Sequence, residues 1–214
     1  MRMRFIVISD VHRRERVIDW TNEWVETEGA EGVIVLGDIT QFGPPEWAGE
    51  FLSALRGKVY ALPGNCDPPL TLSFIERSST SLDRRRLEIG GYEVVGIGGS
   101  NPTIFDTPNE LSEEEIDSLL RPLMVRGAII ASHAPPYGFN DVPPSGGHTG
   151  STALRRIVDD FRPKLVLSGH IHEARGMMER DGIKYMNPGA AKDGFGGVLE
   201  LGDEVEVRLL EPVQ

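Results

Sequence analysis

The apolar and polar positions alternate between short buried-type runs and amphipathic stretches. Phe5 to Ile8 is wholly apolar and mostly β-branched, which predicts a buried strand ending at Ser9-Asp10-Val11-His12. From Arg13 to about Thr27, Val17, Ile18, Trp20, Trp24 and Val25 recur at helical spacing, and Gly29 marks the helix end. Val33 to Leu36 predicts a second strand, ending at Gly37-Asp38. Lys58 to Leu62 predicts a third, ending at Pro63-Gly64-Asn65-Cys66-Asp67. Between these two strands a helix runs from about Glu46 to Leu55 and stops at Gly57. Such strand–helix repetition implies an α/β fold with a mainly parallel sheet, right-handed crossovers and helices on its faces. Sites in these sheets form at the carboxyl ends of the strands, where Asp10, His12, Asp38 and Asn65 all fall.

The pattern then changes. Arg86 to Ile89 and Tyr92 to Ile97 predict two strands joined by Gly90-Gly91. Ser112 is placed to cap a helix reaching about Leu120, with Glu113 to Glu115 at its positive end. Gly127 to Ala131 predicts another buried strand, ending at Ser132-His133-Ala134-Pro135-Pro136. A long Gly/Pro loop, Tyr137 to Gly150, carries His148 and precedes a helix from Thr152 to Phe161. The strand Leu165 to Ser168 runs into Gly169-His170-Ile171-His172. On an extended chain, residues i and i+2 point to one side, so the two imidazoles are expected together. That pair reads either as metal ligands or as hydrogen-bonded loop histidines. Ala174 to Met178, Ile183 to Asn187, Val198 to Leu201 and Val205 to Leu210 then read as an antiparallel tail.

Composition narrows the classes. The 214 residues are 39% hydrophobic and 26% charged, which suits a single domain over 1–214. The 33 acidic residues against 22 basic ones give a net charge of −11, which argues against a nucleic-acid partner. Arg84-Arg85-Arg86 beside Asp83 reads as a solvated turn rather than a basic patch. Cys66 is the one cysteine, so no intramolecular disulfide forms, and a cytoplasmic location is expected. The apolar run at the start is too short for a signal-peptide core, and no stretch is long enough to span a membrane. The oligomeric state is left open.

Seven polar residues collect at five strand ends: Asp10, His12, Asp38, Asn65, His133, His170 and His172. Each alone is weak, since a Gly-Asp pair is mostly a turn. Together, three oxygen ligands and four imidazoles supply about what two transition-metal ions need. If one carboxylate bridges, each ion receives four protein ligands and keeps open positions. Two such ions about 3.5–4 Å apart suit in-line displacement at phosphorus.

The order Asp10-Val11-His12, Gly37-Asp38, Gly64-Asn65, His133 and Gly169-His170-Ile171-His172 resembles the calcineurin-like metallophosphoesterase family, in its small bacterial and archaeal phosphodiesterase branch. The resemblance implies a four-layer αββα sandwich of two mixed sheets, with the antiparallel tail in the second sheet. It implies that Asp10, His12, Asp38 and His172 hold one metal. Asp38, Asn65, His133 and His170 would hold the other, with Asp38 bridging. Mn²⁺ is the first expectation, with Fe, Zn, Ni or Co as alternatives. A hydroxide activated by the two ions would attack phosphorus, with Asp38 and Asn65 as catalytic residues; His148, in the loop after His133, reads either as a catalytic group that contacts phosphate or donates a proton, or as a surface loop histidine. Asn65, Arg13, Arg14 and His148 are the candidate substrate contacts.

Three positions depart from the family pattern. Cys66 stands where the family often has a histidine that helps protonate the leaving group. Arg13-Arg14 follows the Asp-X-His block where Gly-Asn is common, and either arginine could reach a phosphate or lie in a solvated helical turn. Gln41 sits where purple acid phosphatases have tyrosine, so no tyrosinate–iron chromophore is expected. The expected activity is hydrolysis of small phosphodiesters. A nuclease of the same family is the first alternative. A non-catalytic scaffold, as in the retromer coat, is the second.

Overall fold

The computed structural model describes residues 2–213. Its first sheet opens with β1 (Met3–Ile8), and α1 (Arg16–Thr27) leads to β2 (Gly32–Val35). Then α2 (Pro45–Ala54), β3 (Lys58–Ala61), α3 (Thr71–Ser78) and the two-residue β4 (Thr80–Ser81) complete this half. The second sheet begins with the hairpin β5 (Arg85–Ile89) and β6 (Tyr92–Ile97). After it come α4 (Glu113–Leu120), β7 (Ile129–Ser132), α5 (Thr152–Phe161) and β8 (Leu165–Leu167). Four strands close the chain: β9 (Gly176–Arg180), β10 (Ile183–Asn187), β11 (Gly197–Leu201) and β12 (Val205–Leu209).

The strand orders are β12-β11-β1-β2-β3-β4 and β5-β6-β7-β8-β10-β9, six strands in each sheet. In the first, β1 to β4 are parallel, and β11 and β12 run antiparallel at the edge. In the second, β6, β7, β8 and β10 are parallel, with β5 and β9 antiparallel at the two edges. The alternation along β1 explains the layering. Ile6 and Ile8 face Val17, Trp24, Phe51 and Leu52 of the helices, whereas Phe5 and Val7 face the other sheet. The inter-sheet core adds Leu36, Leu62, Ile129, Leu165, Leu167, Met186 and Leu199. On the far side Val95, Ile130 and Val166 pack against Ile116, Leu120, Leu154 and Ile157 of α4 and α5. Helix, sheet, sheet and helix form the four-layer αββα sandwich expected. No helix among the described residues is long and apolar enough to cross a membrane.

Several expectations need correction. The tail is not one antiparallel sheet: β9 and β10 extend the second sheet, with β10 parallel to β8, while β11 and β12 cover the free edge of β1 in the first. Alternation alone cannot say which open edge a hairpin completes. Helix α1 starts at Arg16, not Arg13, because residues 11–13 are pinned to the loop after β2: Val11 and His12 N–H bond the Asp38 carbonyl, and Arg13 N–H bonds that of Ile39. Helix α3 has no counterpart in the periodicity, since it buries only Thr71 and Ile75 and follows Pro68-Pro69. Ser112 caps α4 as expected, in a full capping box with Glu115.

Candidate metal centre

The parallel strands β1, β2, β3, β7 and β8 deliver their carboxyl ends to one edge of the sandwich, and all seven candidate ligands leave from there. The backbone turns sharply as it leaves. Asp10, His12, Asp38 and His170 all have left-handed backbone, with φ of 59°, 45°, 48° and 67°. Such conformations cost of order 1–3 kcal/mol each and persist where surrounding bonds over-determine them. Here Asp10 N–H bonds the Gly37 carbonyl at 3.0 Å and His12 N–H that of Asp38 at 2.9 Å. Close approach requires glycine at positions such as Gly64 and Gly169. A Cβ on Gly64 would lie 2.0 Å from Asp38 Oδ1, and one on Gly169 would lie 1.9 Å from Ser9 Oγ.

The candidate ligand atoms form two groups joined at Asp38, with His170 placed beside the second by its ring rather than by a converging ligand atom. In the first, Asp10 Oδ1 lies 3.1 Å from His172 Nε2 and 3.9 Å from His12 Nε2. The two Nε2 atoms are 3.3 Å apart, and His12 Nε2 is 3.7 Å from Asp38 Oδ2. In the second, His133 Nε2 lies 2.9 Å from Asn65 Oδ1 and 3.4 Å from Asp38 Oδ1. The rings of His133 and His170 meet edge to face with centroids 5.1 Å apart. Asp38 thus turns one oxygen to each group.

The hydrogen bonds around these atoms show what the arrangement lacks. His133 Nδ1–H donates to the Leu36 carbonyl at 2.7 Å, which leaves Nε2 as a lone pair. The Thr107 hydroxyl donates to Glu110 at 2.6 Å, so its oxygen accepts from Asn65 Nδ2–H at 3.0 Å. That turns Asn65 Oδ1 toward His133. With the His133 ring neutral, three acceptors would converge with no hydrogen between them, so the arrangement calls for a proton on Nε2 or a cation in its place. The titration behaviour expresses the same demand. Burial opposes a charge on His133, yet Asp38 and Asp10 push its imidazole up to about 9. Burial and the His133 charge push His170 down to about 4. Burial would raise Asp10, but the His172 hydrogen bond and the surrounding imidazoles hold its carboxyl well below the usual range. Two buried carboxylates, an amide oxygen and four imidazoles fit divalent transition-metal ions by chemistry as well as by placement.

Residues 3–174 match the family model for calcineurin-like phosphoesterases. The chain belongs to that family. An uncharacterised protein of Methanocaldococcus jannaschii is 36% identical over 173 residues, 74% of this chain and 77% of that one. Three solved structures share the fold. A Thermus thermophilus protein superposes with a TM-score of 0.76 at 15% identity, covering 97% of this chain and 99% of that one. A dimetal phosphatase from Danio rerio gives 0.66 at 13%, covering 97% and 95%. An archaeal phosphodiesterase gives 0.56 at 18%, covering 97% and 100%. Family membership makes this chain a metallophosphoesterase, a hydrolase of phosphate esters with candidate metal-ligand groups.

This calcineurin-like phosphoesterase does not hold His170 and His172 side by side. The left-handed turn at His170 and the 3₁₀ turn His172–Ala174 send one ring to His133 and the other to Asp10 and His12. Cys66 is buried, and its Sγ lies within 4.8 Å of ligand atoms on His12 and Asp38. Arg13 and Arg14 are exposed in the turn ahead of α1, so neither sits in a helical first turn. His148 Nδ1 pairs with Asp141 Oδ1, 2.7 Å away.

Sequence reasoning missed three supporting residues. Asp67 takes hydrogen bonds from Ile39 N–H, Thr40 N–H, Thr40 Oγ1–H and Gly64 N–H at 2.7–3.1 Å. It ties the loop bearing Asp38 to the loop bearing Asn65, and its place in Gly64-Asn65-Cys66-Asp67 was the available signal. Burial and Asp38 push its carboxyl up to about 6. Thr107 and Asp141 sit in loops where nothing in the spacing marks them. Exposed apolar side chains gather on the loops of this edge: Phe42, Ile104, Phe105 and Tyr137, with Phe105 76% exposed.

Proposed function

We propose that this chain hydrolyses small phosphodiesters at a dinuclear centre of divalent ions, Mn²⁺ foremost. The observation that carries the reading is the convergence of two ligand groups on the two oxygens of Asp38. Asp10, His12, His172 and Asp38 would hold one ion, and Asn65, His133, His170 and Asp38 the other. Such ions, when bound, lower the pKa of water toward neutrality and offset charge developing on phosphoryl oxygens. The chain's own residues provide the rest. Asp38 fixes the spacing between the two groups, and the Glu110–Thr107 pair keeps Asn65 Oδ1 turned inward. Arg13 and Arg14, exposed beside His12, are the nearest cations in sequence to meet a phosphate. His148 is the remaining candidate for contact with substrate.

Size and charge support small esters over polymers. At −11 the chain repels a polyanion, and Arg84-Arg85-Arg86 is spent on Asp83, Glu76 and Glu93. A scaffold without activity has no need of seven filled ligand positions. The test is a panel of phosphomonoesters, phosphodiesters and nucleotides, assayed after chelation and reloading with each of several divalent metals. Diesters cleaved fastest, with activity lost on chelation and restored by Mn²⁺, is the expected result. Cleavage that persists in chelator, or a monoester preference across all metals, contradicts it.

A further inference from the structure

Five histidines occur in the chain, and four of them lie in the two ligand groups. The fifth, His148, is built into a different arrangement. Its Nδ1 lies 2.7 Å from Oδ1 of Asp141, whose side chain is 1% exposed while that of His148 is 43% exposed. Asp141 is held in turn by Gly138 N–H at 2.9 Å and Gly150 N–H at 3.1 Å, which close the loop around it. The Tyr137 ring packs on the imidazole with centroids 5.0 Å apart. Asp141 already accepts from two backbone N–H groups, so His148 Nδ1–H donates to it and Nε2 is the ring atom turned away from that carboxylate.

The loop is also placed. It leaves β7 directly after His133. Asn140 Nδ2–H bonds the carbonyls of Ala174, at 3.0 Å, and Gly176, just past His172. Asn101 Nδ2–H bonds the Thr149 carbonyl at 3.1 Å, and Asn109 of that neighbouring loop bonds the carbonyls of Gly64 and Asn65. The loop is thereby tied on one side to the segment after His172 and on the other, through the Asn101–Asn109 loop, to Gly64 and Asn65.

We propose that Asp141 and His148 form a positioning and proton-donating pair for the leaving group. The inference rests on the phosphodiesterase reading above. When water oxygen bonds to phosphorus, the ester P–O bond breaks and the departing oxygen keeps its electron pair. That oxygen takes the Nε2 proton of a His148 ring that enters the step with a hydrogen on both nitrogens, and it leaves as an alcohol while the ring is left neutral. His148, still donating through Nδ1 to Asp141, regains a proton from solvent, which receives the one released by the attacking water. The products are a phosphomonoester and an alcohol, and Asp141 accepts from Nδ1–H throughout. His148 is the group that would touch substrate, and Asp141 acts through it. Cys66 is no substitute, because a thiol is a weak hydrogen-bond donor.

The test is a series of substituted phenyl diesters, from nitrophenyl to methoxyphenyl, with the Mn²⁺-loaded wild type, His148→Ala and Asp141→Asn. The wild type is expected to show a shallow dependence on leaving group. His148→Ala should lose about 10²-fold or more on the methoxyphenyl ester and far less on the nitrophenyl one. Asp141→Asn should steepen the dependence in the same direction, with metal content equal to wild type in both. Equal losses across the series, or a wild type already as steep as His148→Ala, overturn the pair alone. A wild type that cleaves no member with any metal overturns the phosphodiesterase reading and the pair with it.

Discussion

The strand-end floor of the site and the loops above it are built on opposite plans. The floor is buried and over-determined. Asp38 is held by Cys66 N–H at 2.8 Å and faces His12 and His133, while Asp67 clamps its loop from beneath. The loops are exposed and tied down at a few points. Tyr137 to Gly150 closes on Asp141, and the segment from Asn101 to Glu110 wraps one carboxylate, Glu110, which accepts from Thr103 and Thr107. A floor of this kind fixes where charge can be bound, so changes in it act on metal and on every substrate. Loops of the second kind choose among substrates and leaving groups, and changes there act selectively.

That contrast orders the expected effects. Asp38→Ala should be the most damaging, exceeding the ~10²–10³-fold that loss of one electrostatic stabiliser costs, on all esters alike. Steady-state kinetics with excess Mn²⁺ read it, and activity on any ester within tenfold of wild type would break the contrast. Asp67→Asn comes next. It leaves hydrogen-bond donors of Ile39, Thr40 and Gly64 facing an amide NH₂, and a supporting residue of this type is worth ~10–100-fold in metal affinity. Equilibrium dialysis against Mn²⁺ measures that affinity directly, and an unchanged value would show that the clamp is idle.

The arginines sharpen the comparison from the rim. If Arg13 or Arg14 meets a phosphate oxygen, its replacement by Ala should raise KM roughly tenfold at constant metal content, the loss of one charge-assisted hydrogen bond. Unchanged KM in both variants would leave them as solvated side chains. The smallest effect concerns Glu110. Burial works against its charge, but hydrogen bonds from Thr103 and Thr107 pull its carboxyl down to about 2. A carboxyl lowered on folding stabilises above its ordinary value near 4.5 and loses that contribution as pH falls through about 2. Amide exchange of Thr103 and Thr107 should therefore quicken over that interval while β1 to β3 stay protected. Exchange that quickens equally in the strands would mean the loop has no titration of its own.

The same division governs what the sequence revealed. That the seven candidate ligands share one edge was legible, because each follows an apolar run that reads as a buried strand, and parallel strands put their carboxyl ends together. The four-layer sandwich followed from the family resemblance, whereas the apolar run of β1, with Ile6 and Ile8 to one side and Phe5 and Val7 to the other, marked only a strand buried on both faces. Their conformations were not legible. The pair His170 and His172 was expected to point one way, but a left-handed residue between strand and turn sends the rings apart. The sheet joined by β11 was hidden because the choice lies in which edge of β1 is free. Asp141, Thr107 and Glu110 were hidden for a related reason: their partners are backbone and hydroxyl groups, which leave no periodic trace.

The central claim is that two ligand groups share Asp38, and counting bound metal tests it most directly. Each protein is loaded with Mn²⁺, passed through a desalting column and analysed for metal per chain, for the wild type and for His172→Ala, His133→Ala and Asp38→Ala. The account predicts two ions in the wild type, one in each histidine variant and none in Asp38→Ala. One ion in the wild type, or two retained in Asp38→Ala, contradicts it.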